Sequence, residues 1–204
     1  MTAENTPALD PNLVDRVKGI LRAPKLEWPI VAAEQTTVKA LFSRYAMVLA
    51  AIPALSSLAN DLLFGDRGVG SALLAAIVGY GFALLATYVV GIVIDGLAQN
   101  FGSEKNIVQS MKLAVYSMTP AWIAGVLNII GLDWLAGLLG LYGIYLLYLG
   151  LAPLKKTPAD KQVLYTVVLV LVAMLLNIVI FSLIGAVLAA FAIVGFGAAT
   201  FAMG

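Results

Sequence analysis

Five long stretches of this chain carry no charge, and the gaps between them alternate in basic content. Residues 45–60, 69–94, 113–132, 134–154 and 163–204 contain no Asp, Glu, Lys or Arg. A helix needs roughly 20 apolar residues to cross the hydrocarbon core of a bilayer. Four of the stretches suit one crossing each, once the first is extended through Asp61 to Phe64. The last is long enough for a crossing plus a tail. The chain therefore reads as an integral membrane protein of the all-α class.

The alternation fixes an expected orientation. Arg16, Lys18, Arg22, Lys25, Lys39 and Arg44 precede the first span, and the next gap holds only Arg67. Lys105 and Lys112 follow the second span, nothing basic follows the third, and Lys155, Lys156 and Lys161 follow the fourth. Taken in alternate gaps, all of the 12 basic residues except Arg67 fall on one side. Cytoplasmic loops hold the Lys/Arg excess, which predicts a cytoplasmic N-terminus and an outside C-terminus. That requires an odd number of spans, and five is the natural count. The expected spans are about 44–64, 69–94, 113–132, 134–154 and 163–189. They form a transmembrane domain over 44–204, preceded by a cytoplasmic segment over 1–43. The first 44 residues mix five acidic with six basic side chains. A cleavable signal instead needs a short basic start followed by an apolar run, so the first span is expected to be retained.

Composition narrows the chemistry. The chain is 62% hydrophobic and 11% charged, against about 25% charged for soluble domains. A net charge of +1 without a clustered basic face argues against a nucleic-acid partner. There is no histidine and no cysteine. Imidazole bases, thiolate nucleophiles, disulfides and most zinc or haem ligation are thereby removed. No cofactor or metal is expected, and no enzymatic activity.

The N-terminal segment is patterned. After a lead over residues 1–10, Leu13, Val14, Val17, Ile20 and Leu21 recur at helical spacing, and Pro24 ends the run. Such a helix could lie in the membrane interface, its cations Arg16, Lys18, Arg22 and Lys25 meeting anionic headgroups and Trp28 anchoring at headgroup level. The alternative is a helix packed on the cytoplasmic mouth of the bundle. Sequence alone leaves both open.

Within the spans, small residues mark expected helix contacts, since backbones associate in lipid by close approach. One row is Gly79, Ala83, Thr87, Gly91 and Asp95; another is Ala136, Gly140, Gly143 and Gly150. Pro53 and Pro120 are expected to kink their helices. Asp95 ends the first row near the cytoplasmic boundary. It reads either as a solvated carboxylate near Lys105 or Lys112, or as the centre of an ion or proton site with Thr87 and the amides Asn128 and Asn177. Asp61 and Asp133 fit outer boundary positions. Tyr142, Tyr145 and Tyr148 fit packing and interface anchoring. Residues 190–204 either prolong the fifth helix or fold back on the outer surface.

The run KLAVYSMTP at 112–120, the run LYGIYLLYLGL at 141–151, and a short turn with Lys155, Lys156 and Pro158 together resemble the bacterial branch of the Yip family, the Ypt/Rab-interacting-type membrane proteins. The resemblance extends from Leu13 to about Leu183. It implies a cytoplasmic N-terminal segment and five transmembrane helices. Family members often carry Gly-Tyr-Ser with a later proline; Tyr116, Ser117 and Pro120 fit, and Val115 stands in place of the glycine. The Asp-Leu-Tyr-Gly-Pro motif of eukaryotic members has no counterpart in residues 1–44. Eukaryotic relatives act in vesicle trafficking through small GTPases and one another.

Two functions follow as expectations. One is a non-enzymatic component of a bacterial inner membrane that organises the bilayer or partner proteins, including further copies of itself, through helix contacts and its basic segment. The other is a small proton or cation transporter using Asp95. No mid-membrane charge and no inverted repeat supports the second.

Overall fold

The computed structural model describes residues 12–65 and 68–202, with side chains described through residue 191. The N-terminal lead, Arg67 and the last two residues of the tail thus lie outside the described residues. Among the described residues seven helices account for the fold: α1 (Leu13–Arg22), α2 (Pro24–Ala33), α3 (Val38–Phe64), α4 (Val69–Phe101), α5 (Ile107–Ile130), α6 (Asp133–Lys155) and α7 (Ala159–Ala202). No strand occurs among the described residues. Helices α3 to α7 are each long and apolar enough to cross a membrane. The chain is a five-span helical membrane protein.

Local chemistry sets the helix ends. Asn12 caps α1, its Oδ1 accepting from the Asp15 amide at 2.9 Å. Pro24 opens α2 at the first turn, where its missing N–H has no partner to lose. Thr37 caps α3 and Asn106 caps α5 in the same way as Asn12. Gly102 (φ 66°) and Gly131 (φ 70°) take the left-handed conformation after α4 and α5, and Lys156 does so after α6. The helices overrun the uncharged stretches at the basic end of the bundle, because backbone hydrogen bonding continues through polar residues once their side chains find partners.

Three spans are irregular. Helix α3 contains a π-turn over Phe42–Ala46. Pro53 sits inside the unbroken helical run Met47–Phe64, so the irregularity of this span lies about two to three turns before the proline. Helix α5 breaks at Met118, just before Pro120, and finishes as a 3₁₀ segment over Gly125–Ile130. Helix α6 breaks at Leu141. The tail prolongs the fifth span: α7 continues without interruption to Ala202.

The N-terminal helices do not rest at the periphery. Helix α2 packs along the Tyr142–Lys155 part of α6, and α1 reaches the Thr119–Ala124 part of α5. Thr119 lies twelve residues from the start of α5, about 18 Å along it. Of the two readings that the sequence leaves open, packing onto the bundle is the one adopted.

Candidate functional site

The charges that the sequence places between spans are drawn into the basic end of the bundle and buried there. Asp95 on α4 is 7% exposed and Lys155 on α6 is fully buried. The Lys155 ammonium lies 3.1 Å from Asp95 Oδ1, donates to Ser110 Oγ at 2.6 Å and donates to the Asn106 carbonyl at 3.3 Å. All three of its donors are used. Ser110 Oγ also lies 3.1 Å from Asp95 Oδ1. Removing an ion from water costs several kcal/mol, and only close pairing with further hydrogen bonds repays it. This cluster ties α4, α5 and α6 together.

A second cluster holds the N-terminal helices. Arg16, 3% exposed, pairs through its two terminal nitrogens with Glu27 and with Glu34. Its guanidinium also stacks over the Tyr116 ring, 5.7 Å from the centroid. Lys112, 1% exposed, donates to the Val31 and Glu34 carbonyls at 2.7 Å each. These carbonyls lie at the C-terminal end of α2, where a cation is favoured by the helix dipole. Gln109 Nε2 adds a bond to the Ala32 carbonyl at 2.9 Å.

Aromatic packing completes the seat. Trp28 is 1% exposed and meets the Tyr116 ring edge-on at 6.4 Å; Tyr116 meets Tyr45 at 4.7 Å. Tyr45 Oη shares a hydrogen bond with Thr119 Oγ1 at 2.9 Å, and Tyr142 Oη donates to the Leu21 carbonyl at 3.2 Å. Gly150 makes room for Trp28, because a Cβ there would stand 3.0 Å from the indole ring and closer still to Leu113.

These contacts revise several expectations. Asp95 is not solvated, and its partner is Lys155 rather than Lys105 or Lys112. Trp28 is a core residue and not an interfacial anchor, since the bundle offers its ring a complete apolar seat. Arg16 faces two carboxylates and not headgroups, while Lys18, Arg22 and Lys25 are exposed. The residues grouped with Asp95 as an ion site do not converge. Thr87 Oγ1 donates to the Ala83 carbonyl of its own helix, Asn128 Nδ2 to Ser57 Oγ at 3.3 Å, and Asn177, which is exposed, to the Ala173 carbonyl.

The small-residue rows also divide. A Cβ at Gly91 would strike the Met111 sulfur, and one at Gly143 would come within 2.5 Å of the Ser117 carbonyl. Gly140 would make ordinary contact with Ala121 Cβ at 3.4 Å. Gly79 meets nothing within 4 Å. It lines, with Ala83 and Thr87, an apolar cavity of about 600 Å³ between α3, α4, α5, α6 and α7. Asp95 is not among the residues lining that cavity.

Sequence reasoning missed Glu27, Glu34 and Ser110, and it missed the burial of Lys112 and Lys155. A signal for the acids was present: Glu27 and Glu34 stand seven apart, two helical turns, on one side of the segment.

The Yip1 domain model matches residues 18–181, most of the chain. The chain belongs to the Yip1 domain family. Among curated proteins, it is 25% identical over 131 residues to the inner membrane protein YohC of Escherichia coli K12, covering 60% of this chain and 67% of that protein. The same protein from Escherichia coli O6:H1 matches to the same extent. No solved structure matches significantly. Tyr116, Ser117 and Pro120, which carry the family resemblance, stand at the break in α5: Tyr116 seats Trp28 and Arg16, and Pro120 follows the interruption at Met118.

Proposed function

We propose that this chain is a non-enzymatic organiser of a bacterial inner membrane, with its N-terminus cytoplasmic. It holds a rigid basic and apolar platform against the bilayer surface. The observation that carries this reading is the latching of α1 and α2 into the bundle by Arg16, Lys112 and Trp28. Latching leaves Lys18, Arg22 and Lys25 exposed on α1 and α2, together with Asp15 and with Val14, Leu26 and Ile30, which are 56%, 72% and 53% exposed. Apolar side chains beside cations are the pattern of a surface that dips into an anionic interface. The location draws support from the name of the E. coli relative, and the orientation from the bias in basic residues. These residues, together with the exposed apolar helix surfaces, are available to partner membrane proteins or further copies of the chain.

Transport through Asp95 has less behind it. The carboxylate is neutralised by Lys155, and it lines neither the large cavity nor the smaller hollow of about 210 Å³ beside Arg16 and Glu34.

The test uses nanodiscs of mixed anionic and zwitterionic lipid. Wild type is expected to enrich anionic lipid around itself, and the triple variant Lys18→Gln, Arg22→Gln, Lys25→Gln to lose that enrichment. About 1 kcal/mol per basic residue is at stake at the surface. Equal enrichment in both proteins refutes the platform. Proton or cation flux in liposomes that vanishes in Asp95→Asn replaces it with the transport reading.

A further inference from the structure

The N-terminal hairpin carries exposed charge far along the bundle. Its corner, where α1 gives way to α2, is fixed by the hydrogen bond from Tyr142 Oη to the Leu21 carbonyl at 3.2 Å. Tyr142 stands thirteen residues before Lys155, the last residue of α6. That is about 20 Å of helix measured from the basic end. A helical side chain leans toward the N-terminus of its own helix, and for α6 that is the end away from the ionic clusters. The phenol therefore does not shorten this depth. A second contact agrees with the first: Trp28 sits against Gly150, and α2 packs along the Tyr142–Lys155 part of α6. Arg22 and Lys25 flank the corner, and both are exposed.

Little hydrocarbon is left beyond them. From Tyr142 to Asp133, the exposed first residue of α6, there is at most about 14 Å of helix, against roughly 30 Å for an ordinary hydrocarbon core. Other faces of the molecule are longer. Exposed apolar side chains run from Val69 to Ile92 on α4, about 34 Å, and from Val163 to Phe191 on α7, about 42 Å. Lengths that differ this much around one bundle are not matched by a slab of uniform thickness. The cations do not reach the surface by extension either, because a lysine or arginine side chain spans only about 6 Å. Moving the whole basic end into water would strip lipid from Val163 and Leu164, which are 60% and 59% exposed, and would leave the corner just as close to Asp133. Charge held at such depth is relieved by local thinning of the bilayer and by water that follows it inward.

We infer that this protein thins the bilayer on one side. Headgroups and water descend along α1 and α2 to Arg22 and Lys25, while the bilayer keeps its ordinary thickness around α4 and α7. The lipid beside the α1–α2 corner is thereby drawn into a wedge. Thinning asks for no preference between anionic and zwitterionic lipid, so it stands or falls separately from the organiser reading.

The chain has no cysteine, so single cysteines can be introduced into the full protein without further change. Nitroxide labels are placed in Tyr145→Cys, Leu171→Cys and Trp134→Cys, at positions 42%, 55% and 65% exposed, where substitution does not threaten folding. In liposomes of phosphatidylethanolamine and phosphatidylglycerol, collisions with oxygen report hydrocarbon and collisions with a water-soluble nickel chelate report the headgroup layer. Tyr145 lies as far from Lys155 as Leu171 lies from Lys161, about 15 Å of helix. A flat bilayer gives these two labels the same hydrocarbon signal. Thinning is expected to give Tyr145→Cys at least about fivefold more nickel contact than Leu171→Cys, since the polar chelate is excluded from hydrocarbon. Trp134→Cys should read as headgroup as well. A bundle that is only tilted would shift both membrane boundaries together and sink the Trp134→Cys label in hydrocarbon, which overturns the inference. Equal signals from Tyr145→Cys and Leu171→Cys overturn it too. Adding Arg22→Leu with Lys25→Leu should lower nickel contact in Tyr145→Cys at least about threefold, because the charge that holds the headgroups inward is gone. Unchanged contact overturns the role given to these two cations.

Discussion

The two halves of this bundle are built on opposite terms. At the basic end, Asp95, Lys155, Arg16, Glu27, Glu34 and Lys112 are enclosed by α1, α2, α4, α5 and α6, and side chains there approach closely enough that Gly91 and Gly150 admit no Cβ without a shift. In the other half, α3, α4, α5, α6 and α7 surround a cavity, Gly79 has open space, and much of the fifth span is exposed. In water, apolar surface would draw both halves together. In a bilayer the tails are as apolar as Leu, so apolar faces gain nothing by closing. What closes the basic end is the need to pair buried ions and backbone carbonyls. Along the cavity such pairing is sparse, and a gap persists.

The largest effect should come from breaking the ionic closure. Lys155→Met leaves Asp95 buried and unpaired, and is expected to destabilise the protein by about 3–5 kcal/mol in reversible unfolding from detergent micelles. Adding Asp95→Leu should restore most of that loss. If the single and double variants lose equally, the pair is not what holds the three helices.

A smaller loss is expected from glycine substitution, and here a closed contact and an open wall can be compared directly. Gly143→Ala drives a methyl into the Ser117 carbonyl and should cost about 1–3 kcal/mol. Gly79→Ala faces open space and should stabilise by about 0.5–1 kcal/mol through helix propensity alone. Equal effects on the melting temperature would erase the distinction between a closed contact at Gly143 and an open wall at Gly79.

Gly150→Ala should push Trp28 outward, seen as a red shift of its emission and faster proteolysis after Arg22 and Lys25. An unshifted spectrum would mean that the N-terminal helices hold their place without that seat. The smallest effect is expected for Tyr45→Phe, which removes one neutral hydrogen bond to Thr119, worth about 0.6 kcal/mol within a membrane bundle.

Much of the architecture was legible before any coordinates. Charge-free runs of helical length, split by basic gaps, determine five membrane helices, because backbone groups in hydrocarbon must be satisfied within each segment. Every gap contributes its charges to an end of the bundle for the same reason. The C-terminal run could be read as helical but not as straight, since nothing in it fixes a turn. The site was less legible. That Asp95 finds Lys155, 60 residues away, and that Arg16 binds Glu27 and Glu34 depends on which helices become neighbours. So does the division of one glycine row into a tight contact at Gly91 and an open wall at Gly79. Hydropathy sets how many helices cross the bilayer and is blind to rotation about each helix axis, so which side chain meets which was decided only by the tertiary structure.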